Sequence, residues 1–139
     1  DLALVRPGLE LKQEPRHNLV LSNAAVRVFR TEFPPGDATL THAHRVDSLY
    51  FFLSSARVRN EREGQGTIED DLAAGEVRHG DHCTCPLAHR ITNLGSSPMF
   101  CLDVELASFD GVSEPALKKA RADDMPSLPP GIQLVKERR

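Results

Sequence analysis

The sequence predicts an all-β sandwich or barrel. Turn signals recur every eight to twelve residues over about 85 residues, from Leu19 to Leu106, and no helical periodicity runs through that stretch. Its last run, MFCLDVEL, alternates Phe100, Leu102, Val104 and Leu106 against Met99, Cys101, Asp103 and Glu105, the period-2 pattern of a sheet with one buried face.

Taken in order, NAAVRVFRTEF (Asn23 to Phe33) reads as a strand with Arg27 between Val26 and Val28, ended by the turn residues of FPPGD. SLYFFL (Ser48 to Leu53) has the aromatic composition of a buried strand, and ARVRNE (Ala56 to Glu61) sets Arg57 and Arg59 against Val58. EGQG, Gly75 and Gly80 mark further turns. Only EPALKKARADD, capped by Ser113, looks helical: Glu114 sits in the first turn and Lys118, Lys119 and Arg121 come late, where they suit the helix dipole. The expected organisation is an N-terminal arm over 1–22, a barrel over 23–108, and a helical segment and linker over 109–139. PGLELKQEPR (Pro7 to Arg16) and PGIQLVKERR (Pro130 to Arg139) match or exchange conservatively at seven of ten positions, so Pro130 either opens a second copy of the domain or repeats a short string by chance.

A chain of 139 residues suits one domain that buries most of its apolar surface. Its net charge of −3 leaves no basic footprint for nucleic acid or an anionic membrane, and no apolar run is long enough for a membrane helix. The three cysteines, Cys83, Cys85 and Cys101, are expected as reduced thiols, which favours the cytoplasm without fixing a location. Cys83 and Cys85 share one face of an expected strand, as soft metal ligands or, more simply, as small buried residues.

The chemistry concentrates in GDATLTHAHRVDSLYFFL (Gly36 to Leu53), where His42 and His44 stand two apart. In extended chain they face the same way, and two neutral imidazoles on one face suit a transition-metal ion. Downstream, GDHCTCPLAHRITN (Gly80 to Asn93) supplies His89 on another strand.

These two stretches resemble the motifs of the cupin superfamily, small β-barrels that often bind one metal ion. The first motif, G(X)5HXH(X)3-4E(X)6G, is matched by Gly36, His42, His44 and, one residue early, Asp47; the second, G(X)5PXG(X)2H(X)3N, is matched by Gly80, Pro86, His89 and Asn93, with its middle glycine and two residues of spacing lost. The resemblance implies a cupin-type double-stranded β-helix, or jelly roll, in which His42, His44 and His89 hold one divalent ion: iron, manganese, zinc, nickel or copper. Asp47 is the counterpart of the family glutamate, as fourth ligand or as a catalytic group for charge balance or proton shuttling. His82 is the other candidate for a fourth ligand, weighed against an exposed turn histidine, as His79 is. Tyr50 and Asn93 are expected at the pocket, and His17 has no partner in view.

The resemblance implies a metal-dependent oxygenase or isomerase acting on a small organic molecule. The alternative is a non-catalytic barrel for ligand binding or assembly, with structural metal or none. Pairing as a homodimer, or with a tandem cupin domain, is expected through outer strands around Val26 and Val58.

Overall fold

A computed structural model describes residues 8–106. The helical segment after Ser113, the linker and the Pro130 repeat lie outside these residues. Ten strands follow one another: β1 (Leu9–Glu10), β2 (His17–Ser22), β3 (Val26–Phe33), β4 (His42–His44), β5 (Ser48–Phe52), β6 (Ala56–Arg62), β7 (Gly66–Leu72), β8 (Val77–Gly80), β9 (Leu87–Asn93) and β10 (Met99–Leu106). They form two five-stranded sheets, ordered β1-β4-β9-β6-β7 and β2-β3-β10-β5-β8, with every pairing antiparallel except β1 on β4. This is the double-stranded jelly roll that the sequence pointed to.

The sheets begin earlier in the chain than expected. Leu9–Glu10 and His17–Ser22, assigned to an N-terminal arm, are edge strands of the two sheets, and the 3₁₀ turn Leu11–Gln13 between them buries Leu11. Both strands are short and β2 is largely exposed, so the apolar alternation that marks a strand in sequence is weak there.

The core cluster spans both sheets: Phe33, Phe52, Met99 and Cys101 from one, Ala56, Val58 and Leu72 from the other. Val58, expected on a pairing surface, is thus a core residue. On β6 the odd positions face out, where Arg57 pairs with Asp71 and Glu69, and Arg59 with Glu69. Exposed pairs of this kind contribute roughly 0–1 kcal/mol each, so their role is to keep β6 and β7 soluble and in register.

The alternation of β10 is present, but its buried row is the polar one. Met99, Cys101, Asp103 and Glu105 point inward, and Phe100, Leu102, Val104 and Leu106 lie half-buried outside. Glu105 is compensated by Arg27 across the β3–β10 pair. Asp103 is not, and its surroundings belong to the site.

Candidate metal centre

β4 and β9 pair so that the Cα of His42 lies opposite that of His89. Directly opposed residues project to one side of the sheet, and His44 joins them because it follows His42 by two. The three Nε2 atoms lie 3.0–3.1 Å from one another. All three rings are buried.

The other ring nitrogen of each histidine faces an acceptor. His42 Nδ1 donates to the Leu40 carbonyl at 2.8 Å, and His89 Nδ1 donates to Asn60 Oδ1 at 3.0 Å. His44 Nδ1 lies 3.3 Å from the Tyr50 hydroxyl and 3.6 Å from Asp103 Oδ2. With the proton drawn to Nδ1 in every ring, the three Nε2 lone pairs converge on one point. Three acceptors facing each other at this distance repel unless a cation sits among them, and cis donors around an ion bonded at about 2.1 Å stand about 3 Å apart. The donor set fits a single divalent ion. Among the described residues these three histidines are the group arranged to hold one.

Burial keeps the rings neutral. Desolvation is the main cause for each: it lowers His42 to about 4, aided by His17, and takes His44 and His89 well below the ordinary imidazole value, aided by their neighbouring imidazoles. A neutral imidazole is the ligating form, so the site needs little deprotonation to bind metal at neutral pH.

The remaining sequence candidates fall around or away from this cluster. Inward positions of β5 are Ser48, Tyr50 and Phe52, so Asp47 lies off that face: its Oδ1 accepts from the Cys83 amide at 2.9 Å, a bond that lowers its pKa, and it does not line the cavity. The shortened spacing that kept Asp47 near the family glutamate in sequence put it on the wrong parity of the strand. His82 is 6% exposed, so it is not an exposed turn residue; its Nε2 accepts from the Tyr50 hydroxyl at 2.6 Å, and its ring stacks on His44. Gly80 makes room for it, because a Cβ there would fall 2.1 Å from His82 Nε2. His79 is exposed, as expected. Tyr50 lines the cavity, its hydroxyl kept protonated by burial.

Asn93, expected at the pocket, is fully buried but turned to the β9–β10 loop: it donates to the Ser97 and Phe33 carbonyls and accepts from the Gly95 amide. Cys83 and Cys85 are exposed free thiols on a turn, not buried strand residues; the Cys85 amide closes that turn on the Asp81 carbonyl. Cys101 is buried in the core, where desolvation pushes its thiol well above the ordinary value.

Two features of the site have no signature in the motifs. His17 on β2 lines the cavity, its ring centroid 4.6 Å from that of His42, and its Nδ1 donates to Glu14 Oε2 at 2.6 Å. Glu14 is 1% exposed; burial opposes its charge, but bonds from His17 and from the Leu40 and Arg16 amides outweigh that and hold it down at about 2. The bond to the Leu40 amide ties the N-terminal turn to the residue whose carbonyl orients His42. The second feature is Asp103, 1% exposed, with neither carboxylate oxygen hydrogen-bonded. Desolvation and the nearby Glu105 raise it to about 8, so at neutral pH Asp103 is protonated and His44 neutral, and their 3.6 Å approach is no ion pair. A long-range contact between β10 and β4 sites leaves no trace in local spacing.

The triad opens on a cavity of about 440 Å³. Its walls combine apolar side chains, among them Phe33, Phe52, Val58 and Met99, with the polar groups Tyr50, Asn60, Arg62 and His82. That size and mixture fit a small organic ligand.

Comparison with solved structures places the architecture. The chain is similar to a cupin domain from Bordetella pertussis Tohama I, with a TM-score of 0.61 and 20% identity over 66% of this chain and 92% of that one. It is also similar to an RmlC-like cupin family protein with a double-stranded β-helix fold from Methanocaldococcus jannaschii (TM-score 0.54, 12% identity, 66% and 78% covered). An uncharacterised conserved protein with a double-stranded β-helix domain from Klebsiella pneumoniae matches at TM-score 0.53 and 19% identity, covering 70% and 76%. No family model and no curated protein matches the chain. The fold is that of the cupins.

Proposed function

We propose that this chain of cupin fold is a metal protein: His42, His44 and His89 hold one divalent transition ion, drawn from iron, manganese, zinc, nickel and copper, and the adjoining cavity receives a small organic molecule. The observation that supports this reading is the convergence of three buried Nε2 atoms whose rings are each oriented from the other nitrogen. A bound ion with open positions supplies Lewis acidity to a ligand atom or, if iron, a site for dioxygen.

What the chain's own residues contribute is clearer. The apolar walls exclude bulk water and select for size. Tyr50, its hydroxyl proton donated to His82, presents an oxygen that can accept a hydrogen bond from a bound molecule. These polar groups beside the triad favour a reaction on the small molecule, an isomerase- or oxygenase-type conversion. Among the described residues no carboxylate joins the three histidines, which favours the second reading, a barrel that binds ligand without turnover.

The two share one prediction. Adding one equivalent of zinc or nickel to chelator-treated protein raises its melting temperature, because an ion that binds only the folded state stabilises it by about 2.7 kcal/mol at a hundred times its Kd. Differential scanning calorimetry with and without metal reads this directly. A melting temperature indifferent to every one of these ions contradicts the proposal.

A further inference from the structure

We infer that Arg62 makes the cavity a site for a small carboxylate: the guanidinium receives the anionic end of the ligand beside the triad, and the apolar wall receives its body. This deepens the function proposed above and rests on it for the location of the reacting end.

Among the arginines of β6, Arg57 and Arg59 face out into ion pairs, whereas Arg62, two residues beyond Asn60, belongs to the inward row. Its Cα lies opposite that of His89, as that of Asn60 lies opposite Ile91, so Arg62 and the Asn60 that orients His89 share one face of β6. Arg62 lines the cavity, and its charge is one of those felt by His89.

The guanidinium is placed but not neutralised. Nε donates to the Gly66 carbonyl at 3.3 Å and Nη2 to the Gln65 carbonyl at 3.1 Å, across the turn after β6. That turn has Gly64 at φ +72° and Gly66 at φ +80°, conformations that side chains disfavour, so its carbonyl directions are set by the backbone. Nη1 makes no hydrogen bond among the described residues, and no carboxylate pairs with Arg62 there. The other arginine of the cavity, Arg78, is occupied by Asp70 and Glu76.

A half-buried cation held by neutral carbonyls, with one nitrogen free, is suited to an incoming carboxylate, for which guanidinium is the geometrically matched partner. The three neutral histidines leave the full charge of a bound divalent ion uncompensated by their own side chains, which favours an anion at the same end of the cavity. Phe33, Phe52, Val58 and Met99 supply an apolar surface for the remainder of such a ligand.

The test uses the full chain loaded with nickel, with benzoate as probe and benzamide as its uncharged counterpart, followed by isothermal titration. The native chain is expected to bind benzoate at least tenfold more tightly than benzamide. R62Q is expected to lose that preference at least tenfold while its nickel affinity stays within twofold, and R62K to recover part of it. Circular dichroism checks that R62Q folds; if it does not, R62K and the benzoate–benzamide ratio decide. Equal benzoate affinity in native and R62Q protein, equal binding of benzoate and benzamide, or no benzoate binding at all overturns the inference. Failure of the native chain to take up nickel counts against the metal proposal instead. Benzoate titrated into metal-free native and R62Q protein then still tests Arg62, loss of binding supporting its role and equality refuting it.

Discussion

Asp103→Asn is expected to weaken divalent-ion binding 10- to 100-fold and, in the metal-free protein, to gain stability relative to the native chain as pH rises from 6.5 to 8. Both effects follow from one buried carboxyl group. Asp103 is 1% exposed, has no hydrogen-bond donor, and has its pKa raised to about 8 by desolvation and by Glu105, against an ordinary 3.8. Between those values the folded chain holds a proton that the unfolded chain has lost, so this group's contribution to stability is full below 3.8 and disappears as pH rises toward 8. The histidines run the other way: His42, with a folded value of about 4, and His44 and His89, also lowered, favour proton uptake by the unfolded chain, and their contribution is lost as pH falls below 6.5.

Between 6.5 and 8 the tail of the histidines' gain, that of His82 included, offsets much of the Asp103 loss, so Asp103 is isolated by the difference between native and Asp103→Asn protein and not by the native curve alone. One proton's difference there amounts to about 1–2 kcal/mol, from about 1.4 kcal/mol per pH unit. Urea unfolding of the metal-free native chain and of Asp103→Asn at half-unit pH steps measures it. The loss of metal affinity has a separate cause. Release of the Asp103 proton is favoured when His44 holds an ion, and the carboxylate so formed, its Oδ2 3.6 Å from His44 Nδ1, then compensates the charge of the ion. Titration with cobalt, read by its visible absorption, is expected to show the weakened binding. Unchanged affinity would mean that Asp103 does not compensate the ion.

Phe29→Ala is expected to cost about 3–5 kcal/mol, the largest stability loss among single substitutions in the barrel. Phe29 is fully buried on the inward row of β3, and its Cα pairs with that of Asp103 across β10. Truncation leaves a cavity in the sheet that supports the site, out of the 5–15 kcal/mol that a domain of this kind has in total. It also removes part of the desolvation that raises Asp103, so the Asp103 share of the pH dependence should shrink in this variant as well. Chemical denaturation at pH 6.5 and pH 8 gives both numbers; a loss under 1 kcal/mol would show that neighbouring side chains close the gap.

The sequence held the parts of this account that depend on short-range periodicity. Two histidines two apart in a strand had to share a face, and the second motif brought His89 to the same barrel; their convergence needed only the β4–β9 register. Parity misled where a residue stood one step from the expected place. Asp47 kept its distance along the chain to the next turn but not its side of β5, so it caps the Cys83 turn. On β10 the apolar row looked like the core face because burial is inferred from hydrophobicity, yet inward positions can be filled by acids when Arg27 or a functional site is there to meet them. In the sequence His17 is without a partner and Glu14 is not singled out, for a different reason: their partners, His42 and the Leu40 amide, lie more than twenty residues away, and strands of two to six residues carry too little alternation to reveal the pairing. Arg62 was equally silent, one arginine among several on β6 until register set it beside His89.

The whole reading turns on whether the imidazoles of β4 and β9 share one ion. The direct measurement is the metal content of native, His42→Ala and His89→Ala protein, by elemental analysis after exposure to one divalent metal and removal of excess. One ion per native chain, and close to none in either variant with circular dichroism unchanged, is the predicted result. An ion retained at full occupancy after either substitution, or none bound by the native chain, would contradict it.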